Sequence, residues 1–432
     1  MRKPERLNAL TGLRCFAAVN IVFFHFSDPQ WFGWLAPVVN AGYASVSFFI
    51  LLSGFVLAYN YAGRARAGKL DRVRFWKARF TRLYPIYLLS LLLAWRMVTQ
   101  EYHAHSHGMF WTGMALTPLL LQGWVPPVAT FLNTPAWTMS AESFYYAIFP
   151  WLAKWKRPVE AWRSVIQLGA VWMLGMIPGA LYMAINPDGI AHPDRWSWGP
   201  WLQALKFTPL PHLASFVFGV VLAELDGLVE RAGHLRLLLG LGGFAATFGL
   251  LSLGPRVPYA ILHDGLLMPL FGCIVLGLAG ENLLASALSW RPLVIVGEAS
   301  YCLYLLHFNL WNLVHDSGVL ERLGLKQYDP WITYALLIAL ALVALHVVEK
   351  PAQRQLRKWM SAQGAESGAQ AGQIPDKWNR GLSHSSSTCQ CAPAKGNSRQ
   401  EQPARRPLSA DSAFPGLKMR LYPRKTAKNG RQ

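Results

Sequence analysis

The sequence predicts an all-α, polytopic membrane protein of about ten spanning helices, with the N-terminus and the C-terminus both cytoplasmic. Three observations carry that expectation. Of the 432 residues, 53% are hydrophobic and only 15% are charged, where a soluble chain carries about a quarter charged residues. Apolar runs of about twenty residues, enough helix to cross roughly 30 Å of hydrocarbon, recur along the chain. The formal net charge of +19 gathers in short loops between those runs and in a polar tail, which is a mark of membrane topology more than of nucleic-acid binding. The 19 Trp agree, because Trp concentrates where membrane meets water.

In chain order the runs are 10–28, 41–61, 80–98, 137–153, 164–185, 207–223, 236–253, 259–280, 293–315 and 331–349. The first carries Arg14 and His25 and no small-residue cleavage site follows it, so it reads as a retained helix and not as a signal peptide. A further stretch, 109–124, is apolar but short and is followed by Pro126 and Pro127. It is an eleventh span, or else a re-entrant or interfacial segment. Basic residues favour the second choice. With ten spans and the N-terminus inside, the cytoplasmic ends receive Arg2, Lys3 and Arg6, the cluster from Arg64 to Arg82, Lys154–Arg163, then Arg231, Arg236, Arg291 and Lys350–Lys358. The outer loops keep Arg195, Lys206, Arg256, Arg322 and Lys326, with Arg96 near a boundary. That asymmetry is what orientation by positive loops requires. An eleventh span would put Lys154 and Arg157 outside.

Residues 1–360 therefore read as one membrane-embedded domain. From 361 to 432 Gly, Ser, Gln, Pro, Lys and Arg dominate without apolar periodicity, as in a disordered cytoplasmic tail. Cys15, Cys273 and Cys302 lie in apolar runs while Cys389 and Cys391 lie in the tail, which is neither a disulfide framework nor a structural zinc site. His103, His105 and His107 alternate in an outer loop without an accompanying carboxylate or Cys array, so no metal site is expected.

Ionisable groups inside spans are costly and are functional by default. Arg14, Arg79, Arg82 and Glu349 fall near the inner face, and Arg79 and Arg82, three apart, project from one side of a helix. His25 and Glu142 fall toward the outer face, with His307 between. The pattern is a polar shaft, cationic at its cytoplasmic mouth, with an imidazole and a carboxylate further out. Guanidinium groups suit a phosphate-bearing ligand. An imidazole beside a carboxylate suits proton abstraction from a hydroxyl. Each residue also has a plainer reading: positive-inside anchors for the arginines, a helix stop for Glu349, packing for the histidines.

Six motifs resemble the bacterial membrane acyltransferase type 3 family. NALTGLRCFAAVNIVFFHF resembles its first span, where an Arg and a His are separated by ten residues, here Arg14 and His25. VSFFILLSGFVLAY resembles the second span, and FWKARFTRLYPIYLLS supplies an Arg-x-x-Arg pair as Arg79 and Arg82. NTPAWTMSAESFYYAIFPWL resembles the segment with a functional Glu, here Glu142; ASYCLYLLH and VVEKP resemble the closing motifs. The likeness covers about residues 7–355. The chain departs from it at LTGLR, where an acidic residue often replaces the Thr, and at Ser47, where an Asp is frequent.

The resemblance implies a membrane-bound O-acyltransferase of the bacterial inner membrane. Its co-substrate would be an acyl-CoA, usually acetyl-CoA, and no cofactor would be bound permanently. The acceptor would be a hydroxyl on an envelope glycan, a lipid-linked sugar or a small natural product. Arg14, Arg79 and Arg82 would hold the donor's phosphates. His25 would act as general base, oriented by Glu142. Membrane lipids would be the other partner, and no nucleic acid. The competing class is a transporter that uses the same buried charges as a pathway, although no internal repeat of the kind such carriers show is visible.

Overall fold

A computed structural model of the chain describes residues 7–155, 160–229, 233–263, 265–356 and 358–359. The segment 361–432, expected to be a disordered tail, lies outside the described residues. Among the described residues the regular structure is helical and no strand forms. A helix occupies each of the ten apolar runs. The principal ones are α1 (Asn8–Phe26), α2 (Ala44–Arg66), α3 (Arg72–Leu93), α4 (Trp137–Leu152), α5 (Ala161–Ile185), α6 (Leu213–Asp226), α7 (His234–Ser252), α8 (Met268–Leu278), α9 (Arg291–Glu298), α10 (Ser300–Asp316) and α11 (Trp331–Ala344).

Among the described residues six helical segments are long and apolar enough to cross a membrane: α1, α2, α5, α7, the run Tyr259–Leu278 and the run Trp331–Leu356. The pair α9 and α10, bent by 59°, makes a seventh if it counts as one span. The difference from ten has physical causes. Helix α3 carries Arg72, Arg74, Lys77, Arg79 and Arg82 on its first half, which dilutes its apolar character. Helices α4 and α6 have 16 and 14 residues, or about 24 and 21 Å of rise, short of the hydrocarbon thickness.

The stretch 109–124 does not form a span. It gives a helix of ten residues, His107–Leu116, and then turns and short 3-10 segments up to Ala136. This irregular backbone is buried in the bundle and its polar groups find partners there. The Gln122 side-chain amide donates to the Ala136 carbonyl at 2.9 Å, and Tyr87 donates to the Thr117 carbonyl at 2.6 Å. Asn133 donates to the Leu305 carbonyl at 2.9 Å. Non-helical backbone is tolerated at membrane depth when protein encloses it in this way.

Small residues let the helices approach. A Cβ on Gly54 of α2 would lie 2.1 Å from the Phe216 carbonyl oxygen of α6, and one on Gly219 would lie 1.9 Å from the Leu51 oxygen. Likewise Gly12 of α1 meets Leu288 and Gly297 of α9 meets Thr11, with 1.9 Å left for a Cβ in each case. Close backbone approach of this kind is how helices associate where no hydrophobic gain separates lipid from protein. It fixes α9 against the first turns of α1, at the mouth of the cavity described next.

Candidate active site

A cavity of about 770 Å³ opens between α1, α2, α3, α4, α9 and α10. Local sequence aims the polar residues into it. Asp71 caps α3 by accepting from the Arg74 amide at 3.0 Å. That cap sets the register in which Arg79 and Arg82, three residues apart, reach the cavity together. Arg14 enters from α1 and Glu142 from α4. All four are half-buried, as side chains facing an open cavity must be.

Glu142 accepts from the Tyr146 hydroxyl at 3.1 Å, and that hydroxyl lies 3.4 Å from the Ser53 hydroxyl. The Arg79 guanidinium donates to the Tyr61 hydroxyl at 3.1 Å and lies over the Tyr61 and Phe75 rings. Arg14 lies over the Phe49 ring, 5.9 Å from its centroid. Glu142 and Glu349 act electrostatically on Arg14 and Arg82. Yet neither Arg14 nor Arg82 makes a hydrogen bond or a contact ion pair among the described residues. Their donor groups are uncommitted, in a cavity where an unpaired charge is expensive. The arrangement is suited to a ligand that offers acceptor oxygens.

Glu349 itself is buried in a π-turn, Leu345–Glu349, that continues α11. It accepts from the Cys302 thiol at 3.1 Å and from Gln353 at 2.9 Å. Sequence reading favoured a helix stop there, because Lys350 and Pro351 follow. The signal that pointed the other way was its carboxylate, alone in an apolar run.

His25 lies elsewhere. Eleven residues beyond Arg14 on α1, it is about 16 Å further along the helix axis. Its ring centroid is 5.3 Å from that of His307 and 4.9 Å from that of Phe308. The orientation of His25 by Glu142, expected from similar depth, is corrected by this geometry: Glu142 stands with the arginines. The cause is the enclosed approach to α4. Because Gln122–Ala136 already runs inside the bundle, α4 begins deep, and Glu142 falls level with Arg14 instead of His25.

His307 is fully buried, and its Nδ1 lies 2.6 Å from the Tyr304 carbonyl oxygen. A carbonyl only accepts, so Nδ1 carries the proton and Nε2 is left as an acceptor. That Nε2 is buried without a partner among the described residues. The Tyr304 side chain lines the cavity, so the residue whose carbonyl holds His307 connects the two regions.

The loop that follows α5 completes the His25 end. The Arg195 guanidinium sits 4.4 Å from both the Phe24 and Trp196 ring centroids, one residue from His25 in the first case. Lys206 braces the loop by donating to the carbonyls of Asp194, Arg195 and Ser197 at 3.2, 3.2 and 2.8 Å. Sequence reading placed Arg195 among the basic residues between apolar runs and did not connect it with His25. Other polar and aromatic side chains nearby have structural duties. Ser140 donates to the Leu120 carbonyl and accepts from the Gly123 amide, and Trp137 packs on Phe207 and His212. His105 bonds the Pro127 carbonyl and pairs with Glu101.

No solved structure matches the chain. Among curated proteins, acyltransferase MdmB of Streptomyces mycarofaciens is 29% identical over 384 residues, covering 81% of this chain and 92% of that protein. O-acetyltransferase OatA of Staphylococcus aureus is 24% identical over 371 residues, covering 82% of this chain; the chain spans 58% of OatA's length. Protein 2 in the picA locus of Rhizobium radiobacter is 31% identical over 200 residues, 41% of this chain and 96% of that protein. Residues 7–348 match the acyltransferase domain model of the type 3 family, and with the motifs around Arg14, Arg79, Arg82 and Glu142 on that span, the chain belongs to this acyltransferase family, as a multi-pass membrane protein.

Proposed function

We propose that the chain is an O-acyltransferase of the bacterial inner membrane that takes an acyl group, acetyl in the simplest case, from acyl-CoA on the cytoplasmic side. The acceptor is a hydroxyl of an envelope glycan, a lipid-linked sugar or a small natural product, presented from the outer side. The observation that carries the reading is the pair of uncommitted guanidinium groups, Arg14 and Arg82, in a cavity of about 770 Å³ that also holds Arg79. A ligand rich in phosphate or carbonyl oxygen satisfies them.

In this reading the N-terminus and the Lys154 loop are cytoplasmic, and ten helical passes follow from the charge of the loops. Arg14, Arg79 and Arg82 hold the donor. Glu142, bonded by Tyr146, balances their charge and keeps them in place; it is a positioning residue. His25 removes the proton from the acceptor hydroxyl as the oxygen attacks the thioester carbonyl. The C–S bond breaks, CoA leaves as the thiol with the proton, and the ester remains on the acceptor. The neighbouring Nε2 of His307 is an acceptor that can share the proton with His25. Names of the relatives support the class of reaction: one is an acyltransferase and another an O-acetyltransferase.

Inverted membrane vesicles holding the protein, given radiolabelled acetyl-CoA and the envelope fraction of the host, test this. Label should enter a base-labile ester with the wild-type chain and not with His25→Ala. Equal labelling by both proteins would remove His25 from the chemistry. No labelling by the folded wild type across a panel of acyl-CoA donors would remove acyl-CoA as donor.

A further inference from the structure

The deep part of the cavity is poorly matched to the nucleotide end of an acyl-CoA. Arg14, Arg79 and Arg82 contribute three positive charges there, and Glu142 and Glu349 return two negative ones. A phosphate monoester alone carries about −1.5 to −2, and a CoA has a pyrophosphate besides. The pantetheine arm and thioester, neutral and polar, suit that interior better.

A further cation waits at the mouth. Arg291, the first residue of α9, lines the same cavity beside Leu7, Asn8 and Ser289. Asn8 opens α1 and stands six residues before Arg14, about 9 Å nearer the end of the bundle. The side chain of Arg291 is exposed, and it makes no hydrogen bond or ion pair among the described residues. The acid of the same helix that lines the cavity, Glu298, is engaged by Lys350 at 3.1 Å. The mouth therefore presents a guanidinium whose donors are free among the described residues. Its position is fixed from both sides, by the tight seating of Gly297 of α9 on Thr11 and of Leu288, three residues before Arg291, on Gly12.

We propose that Arg291 is the nucleotide-recognising residue of the donor site, binding the 3′-phosphate or pyrophosphate of CoA at the rim while the pantetheine arm passes inward to Arg14 and Arg82. The assignment rests on the acyl-CoA reading above and adds a residue that no motif marks. A guanidinium on a phosphate makes charge-assisted, two-pronged bonds that an ammonium does not reproduce. As a rim residue it selects among donors by their phosphates and takes no part in breaking the thioester.

The test is equilibrium binding of radiolabelled CoA to the full chain in lipid nanodiscs, with unlabelled CoA, dephospho-CoA and pantetheine as competitors. Arg291→Gln should weaken CoA about tenfold, the scale of one charge-assisted bond, and leave pantetheine competition unchanged. Arg291→Lys should recover part of the loss. Discrimination between CoA and dephospho-CoA identifies which phosphate is held. A wild-type preference for CoA over pantetheine that survives Arg291→Gln intact would overturn the assignment while acyl-CoA stands as donor. Absence of CoA binding to the monodisperse wild type would overturn the donor reading and this assignment with it.

Discussion

In the proposed reaction His25 and Glu142 stand at opposite ends of the path, so their replacement should fail in different ways. Loss of a general base lowers the chemical step: His25→Ala should reduce kcat by about 10²- to 10⁴-fold with little change in the donor KM. Glu142→Gln keeps the shape and the Tyr146 hydrogen bond but leaves Arg14, Arg79 and Arg82 with less compensation. Its main effect should be on the donor KM, about tenfold or more, with kcat changed less. Initial rates at varied acetyl-CoA separate the two, and a matching loss of kcat in both variants would return Glu142 to the chemistry beside His25. Much of this was legible in the sequence. Ionisable side chains in apolar runs marked Arg14, Arg79, Arg82 and Glu142 of the cavity's polar wall, and helix spacing joined Arg79 to Arg82. Two things were not legible. The depth of Glu142 depends on how Gln122–Ala136 enters the bundle, which is set by buried hydrogen bonds from Gln122 and Asn133 and has no periodic signature. The contact of Arg195 with Phe24 joins residues 171 apart in the chain, and no local pattern announces it.

Between elements, the fold depends on backbone contact at a few glycines. Gly54→Ala or Gly219→Ala would drive a methyl into a carbonyl of the partner helix, and α2 and α6 would have to part. Overpacking of this sort costs about 1–3 kcal/mol, so both variants should melt earlier than wild type when followed by fluorescence-detected size exclusion in detergent. Gly63→Ala, on the same α2, has nothing within 4 Å of the new methyl. It should be neutral or raise the midpoint slightly, because Ala is the better helix former. Equal effects at Gly54 and Gly63 would mean that propensity, and not packing, sets the cost. The same close packing recurs at LGLGGF of α7, where Gly240 meets Gly277 and Gly243 meets Ile274. The loop at the His25 end makes a second test. Lys206→Met removes the donor shared by three carbonyls, so amide exchange at Asp194–Ser197 should rise several-fold; unchanged exchange would show that the aromatic contacts of Arg195 hold the loop unaided.

At the scale of the whole molecule, the separation of the two ends makes sidedness the decisive property. Arg14 and His25 are about 16 Å apart along one helix, with donor groups gathered at the first and the Arg195 loop at the second. A donor from the cytoplasm and an acceptor from outside can then meet within the bundle, provided that α1 runs from inside to outside and 109–124 does not cross. Both conditions follow from loop charge, and both can be measured with an impermeant thiol reagent on single added cysteines, the unaltered chain giving the background. Ala67→Cys, in the basic loop between α2 and α3, should label in intact cells only after permeabilisation. Ala191→Cys, in the loop that carries Arg195, should label at once. Lys154→Cys decides the passage count: with 109–124 folded back into the bundle it shares the protected side with position 67. If position 154 labelled in intact cells while 67 did not, 109–124 would have to cross. Glu142 would then hang from a helix of reversed direction, and the cavity that gathers it with Arg14, Arg79 and Arg82 could not be built from these elements.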